Sequence, residues 1–243
     1  MRRCFFAFFC VSTSLLGSVV AIKSPQSIPA NDVVYWSQFG PDQTSLGSIF
    51  NAGSTYNDSV NASLANSAGS ATILVAGTDW TPKGGIVAND SLVSTDNGTT
   101  AGGPLTLSFT SVSEAGAFIQ AEGGGPFTAR IQAFAGFSSV LDTTATSDAA
   151  GDPVFLGVAD PNNEITKIIY SLTAVSGNHS LGSFVLDNLY LSDYYIAPLA
   201  PPPSPPQSPP PAGPTVPEPR FTALLGFVLL LFGWKAAKLS TCF

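Results

Sequence analysis

Along the middle of this chain, apolar and polar residues alternate one for one. Leu105, Leu107 and Phe109 are interleaved with Thr106, Ser108 and Thr110. Phe127, Ala129, Ile131 and Ala133 repeat the pattern around Arg130 and Gln132, and Val154, Leu156 and Val158 repeat it again. A period of two puts successive side chains on opposite faces of an extended strand, so each run reads as a strand with one buried face. Residues 33–39, 72–76, 165–172 and 184–191 are further strand candidates. The connectors are turn chemistry: Asp96-Asn97-Gly98, Gly123-Gly124-Gly125-Pro126, Asp160-Pro161-Asn162-Asn163 and Ser176-Gly177-Asn178. No run has a convincing period of 3.6; residues 57–68, rich in Asn and Ser, are the only candidate for a short helix. Around eight to ten strands with regular turns predict an all-β fold, an antiparallel β-sandwich of jelly-roll-like form.

Two apolar ends bound this body and are set aside from it. Arg2 and Arg3 precede an apolar stretch over residues 4–16 that contains Phe5, Phe6, Phe8 and Phe9, and Val19-Val20-Ala21 follows. That order is the three-part pattern of a secretory signal peptide, residues 1–21, with cleavage after Ala21. Its implied partners are the secretion translocon and signal peptidase. An uncleaved anchor helix is the other reading, but the apolar run is short of the roughly 20 residues a span needs. The body, residues 22–197, is long enough for one domain with its own core.

Charge and cysteine narrow what the body does. From residue 22 to 200 there are four basic residues (Lys23, Lys83, Arg130, Lys167) against fifteen acidic ones, a formal −11. With no basic patch to neutralise phosphates, a nucleic-acid partner is not expected. Cys4, Cys10 and Cys242 all lie outside the body, so it has no disulfide, no thiol nucleophile and no thiolate-bound metal.

Residues 198–219 hold twelve of the chain's twenty prolines. Proline fixes φ and removes a donor, so this stretch joins neither helix nor ladder. As polyproline II, at about 3.1 Å per residue, it would reach roughly 70 Å. Within it, residues 198–215 form the linker, and residues 216–243 begin with Val216-Pro217-Glu218-Pro219. A 14-residue uncharged run follows over residues 221–234, and then Lys235 and Lys238. Lysines at that position stay cytoplasmic by the positive-inside rule, and residues 236–239 extend the span if the lysines snorkel. The order of motif, apolar helix and basic tail resembles the PEP-CTERM sorting region of Gram-negative bacteria. The resemblance covers about 28 residues. It implies one C-terminal transmembrane helix, transient anchoring in the inner membrane, and processing near the motif by an exosortase-type membrane protease. A GPI-type signal also combines a spacer with an apolar tail, but lysines within the tail and the Val-Pro-Glu-Pro count against it.

The body offers few chemical constellations. Asn178-His179-Ser180-Leu181-Gly182 resembles the nucleophile elbow of lipases with the first glycine replaced. A Ser-His-Asp hydrolase also needs a separate histidine as base, and His179 is the only histidine in the chain. No catalytic residue is assigned and no enzyme activity is expected. No cofactor is expected and no metal ligand is assigned; an oxygen-ligated calcium site remains open, with Asp160, Asn162 and Asp187 as its candidates. Ordinary turn formation explains the loop residues as well. Residues 182–191, with Asp187-Asn188 between aliphatic residues, look like the closing strand of jelly-roll adhesion and carbohydrate-binding modules. That resemblance implies an Asp near a calcium ion in some members. Trp36 lies in an apolar strand and reads as core, whereas Trp80 lies in loop-like sequence and is the candidate ligand contact.

Together these features predict an exported, non-enzymatic protein of the cell envelope, cell surface or extracellular matrix, with exopolysaccharide as a candidate partner. A carbohydrate-binding module, calcium-dependent or not, and a secreted polysaccharide hydrolase with an acid pair are the alternatives.

Overall fold

The computed structural model describes residues 18–193, apart from 57, 58, 79, 82, 97–99, 178 and 179. Residues 1–17, the proline-dense stalk, the Val216-Pro217-Glu218-Pro219 motif and the apolar run at 221–234 lie outside the described residues. Among the described residues no helix is long and apolar enough to cross a membrane.

The described chain is nearly all β. In order, the strands are β1 (Val20–Ile22), β2 (Asp32–Val34), β3 (Ser45–Gly47), β4 (Ile49–Gly53) and β5 (Ser59–Leu64). Next come β6 (Ala71–Val75), β7 (Ser91–Ser94), β8 (Leu105–Val112), β9 (Glu114–Ala121) and β10 (Phe127–Ala135). The last are β11 (Ser138–Thr146), β12 (Val154–Ala159), β13 (Ile165–Val175), β14 (Phe184–Leu186) and β15 (Leu189–Ser192). They form two antiparallel sheets. A nine-stranded sheet runs β1-β12-β9-β14-β7-β6-β3, with β15 also beside β9 and β2 beside β15. A six-stranded sheet runs β11-β10-β13-β8-β5-β4.

The predicted alternation decides which faces meet. On β8, Leu105, Leu107 and Phe109 are buried while Thr106 and Ser108 are partly exposed; on β10, Phe127, Ala129, Ile131 and Ala133 point inward. From the larger sheet, Ile73, Val93, Ile119, Leu156, Phe184 and Leu189 join the same core cluster. Burying each such aliphatic or aromatic side chain contributes about 1.5–3 kcal/mol. The fully buried Tyr170 of β13 donates its hydroxyl to the Leu156 carbonyl of β12, 3.0 Å away, so its polar end is satisfied by the opposite sheet.

The larger sheet is covered on its outer face too. Ile22, Ile28, Phe155 and Ala159 form one outer cluster, and Ala76, Ile86, Leu92 and Val185 form another. Gly116 and Gly157 sit opposite each other in the β9–β12 ladder, beneath Phe155. A Cβ on Gly116 would come 2.7 Å from the Phe155 ring and 2.9 Å from Ile28 Cδ1, so glycine there makes the seat for both.

Three differences from the sequence-based expectations have physical causes. The described part of 57–68, residues 59–68, contains no helix; Ser59–Leu64 is a strand in which Val60, Ala62 and Leu64 are buried. Residues 33–39 are strand only through Val34, after which Trp36–Phe39 turns in a 3₁₀ helix that buries Trp36. The described chain has fifteen strands rather than eight to ten, because short edge strands and the doubly covered β9 carry no clean alternation.

Residues 184–192 are one strand interrupted by a bulge. Leu186 pairs with Ile119 and Tyr190 with Gly116, four steps along one strand against three along the other. The extra residue falls at Asp187-Asn188, where the neighbour on the other side changes from β7 to β2.

Candidate functional site

The segment between β6 and β7 crosses the outer face of the larger sheet. Ala76 and Trp80 form an isolated parallel bridge, and Gly77, at φ +93°, donates its N–H to the Trp80 carbonyl at 2.7 Å. This tight turn delivers the indole onto the Ala76, Ile86, Leu92 and Val185 cluster. Its Nε1 donates a 2.9 Å hydrogen bond to Oε1 of Gln120 on β9. Trp80 is half-buried, and what its ring leaves uncovered lines an open pocket of about 460 Å³.

Lys83, Gln120, Glu122, Gly123 and Gly124 also line this pocket. Lys83 comes from the crossing segment and donates its ammonium to the Ala150 carbonyl. Gln120 is 3% exposed; with Oε1 taken by the indole, its Nε2 donors are what it offers the pocket. Gly123 and Gly124 open the β9–β10 turn at φ +83° and +73°, so bare backbone forms that wall. An aromatic face, an amide, an ammonium and a carboxylate therefore surround one concavity of a size typical of small-ligand sites, about 300–1,000 Å³.

The candidate ligands for calcium are not brought together. Asp160 is 1% exposed and accepts the Asn162 N–H at 2.9 Å through Oδ1, an Asx turn. Its own N–H bonds the Ser113 carbonyl, at the start of β9. Asp187 lies at the bulge, where its N–H bonds the Phe118 carbonyl in the middle of that strand. Among the described residues no group of three or more His, Cys, Asp or Glu side chains is placed to hold a metal ion. Ala21 sits in β1 opposite Val158 of β12, with its side chain exposed.

Besides Asp160, three buried carboxylates among the described residues stand outside the pocket. Burial pushes Glu114 up to about 7, and its Oε2 has no hydrogen-bond partner among the described residues. Burial outweighs a backbone hydrogen bond from Asn188 and, with a smaller push from the charge of Asp90, raises Asp187 to about 6; its Oδ1 is likewise without a partner among the described residues. Burial also raises Asp32, but the Ser54 and Thr55 hydroxyls and the Tyr56 and Val33 N–H groups outweigh it and hold its carboxyl below the usual value.

Sequence reasoning singled out Trp80 and missed Gln120, Lys83 and Glu122. Gln120 is a polar residue in an apolar strand, which is the only signal the sequence carries for it. The chain matches no family model, no curated protein and no solved structure.

Proposed function

We propose that this chain is an exported, non-enzymatic protein of the cell surface or extracellular matrix, sorted through Val216-Pro217-Glu218-Pro219 by an exosortase-type membrane protease. The carrying observation is the order of its parts. A β-sandwich-like body whose last described strand ends at Ser192 is followed by a proline-dense stretch, the motif, an apolar run and two lysines. The body would be a jelly-roll-like module held clear of the membrane by its stalk. A hydrolase is disfavoured because the chain's single histidine cannot serve a Ser-His-Asp triad in its elbow-like position.

The motif suits a protease because the flanking prolines remove competing conformations, so little ordering entropy is lost when Glu218 is bound. The carboxylate would pair with a basic group of the protease. Glu218→Gln keeps the shape and stiffness but removes the charge. In the native host, the variant is expected to be exported and to accumulate uncleaved in the inner-membrane fraction on an immunoblot. Gln207→Ala in the stalk should leave processing unchanged. If Glu218→Gln is processed and displayed like wild type, the sorting reading fails and residues 221–234 are a plain anchor.

A further inference from the structure

From the Trp80 pocket we infer that the body binds a neutral polysaccharide, with one sugar ring stacked on the indole. The apolar C–H face of a pyranose needs an exposed aromatic face, and Trp80 offers one whose orientation is fixed by the Gln120 bond at 2.9 Å. Sugar hydroxyls both donate and accept. Around the ring stand donors (Gln120 Nε2 and the Lys83 ammonium) and an acceptor (the Glu122 carboxylate). At about 460 Å³ the pocket admits a sugar unit, and its Gly123-Gly124 wall carries no side chain to stop a polymer from running on past it.

Charge selects among polysaccharides. The body carries a formal −11, so an acidic polymer rich in uronate meets a repulsive field, and a neutral one does not. A nucleotide would also stack on the indole, but its phosphates face the same repulsion, and among the described residues only one cation lines the pocket. Binding is expected to be independent of calcium, because Asp160, Asn162 and Asp187 are not among the described residues that line the pocket.

This inference names the partner of the displayed body and rests on the surface-protein reading only for where that partner is met. The test uses the full chain purified in mild detergent, on an array of neutral polysaccharides, uronate polymers, peptides and oligonucleotides. Selective retention on a neutral polysaccharide is expected, unchanged by chelator. Trp80→Ala should weaken it at least tenfold. Because Trp80 also packs on the outer cluster, Lys83→Met and Glu122→Gln provide second variants; each should weaken binding several-fold while the body still melts cooperatively. Tyr56→Ala, an exposed aromatic on the β4–β5 hairpin, should bind as wild type. The inference is overturned if no polysaccharide is retained, if uronates, peptides or oligonucleotides are preferred, if chelator abolishes binding, or if Lys83→Met and Glu122→Gln both bind as wild type. Sorting in the host does not enter this readout, so a processed Glu218→Gln chain sinks the sorting reading and leaves the pocket untouched.

Discussion

The Trp36 indole donates a 2.9 Å hydrogen bond to the main-chain carbonyl of Asp187, 151 positions away. Asp187 occupies the bulge at which the strand spanning residues 184–192 trades β7 for β2 as its neighbour. A bulge leaves ladder groups unpaired. Trp36, fully buried where the 3₁₀ helix begins just after β2, supplies the missing donor. One side chain therefore fills the core and completes the sheet where its pairing changes.

Trp36→Phe keeps most of the apolar volume but orphans that carbonyl, at a cost of about 1–3 kcal/mol for a buried acceptor left unsatisfied. A loss of about 2 kcal/mol in urea unfolding is expected. A loss below about 0.5 kcal/mol would mean that water or a shifted backbone replaces the indole.

Glu114 and Asp187 make stability depend on pH in an unusual direction. Their folded values, about 7 and about 6, lie above the ordinary 4.5 and 3.8. The folded state thus holds these protons more tightly than the unfolded one. Their stabilisation is complete below the ordinary values and is lost as pH rises through the folded ones. Asp32, held below its usual value, acts in the opposite sense: its contribution is present above about pH 4 and lost as pH falls further. The melting temperature should therefore peak near pH 4–5 and decline toward pH 7, with Glu114 accounting for a change on the order of 3 kcal/mol. Glu114→Gln should flatten the decline, and an equally steep fall in that variant would assign it elsewhere.

Cleavage after Ala21 would pass through β1, leaving Ile22 as the first residue. Val20 and Ala21 are exposed on an edge strand, whereas Ile22 is buried against Ile28 and Phe155. Losing the first two should shift the melt little. Mass spectrometry of surface material is expected to find Ile22 at or near the N-terminus, and Ile22→Asp to cost more than removal of residues 1–21. Material that retains residues 1–21 would instead identify an uncleaved anchor.

Strands with one wet face were legible from their alternation: β8 and β10 lie where the period of two places them. β9 was not, because the second layer over the larger sheet buries every residue of it except Phe118, and a strand covered on both sides loses the alternation that marks it. Residues 57–68 looked helical by default, their Asn and Ser concealing the buried Val60, Ala62 and Leu64. At the pocket, Trp80 was legible as a large aromatic in loop-like sequence. Gln120 was not, since its partnership with Trp80 spans 40 positions and depends on which segment crosses the sheet.

The run from Phe184 to Ser192 is also a matter of timing. It lies inside the larger sheet, bonded to β9 on one side and to β7 and then β2 on the other, yet it is the final part of the described chain to be made. A ribosome or a translocon releases the N-terminus first, so β9 must wait with an open flank until nearly all of the body has emerged. Non-local pairing of this kind closes slowly. The larger sheet is thus complete only when its last strand arrives.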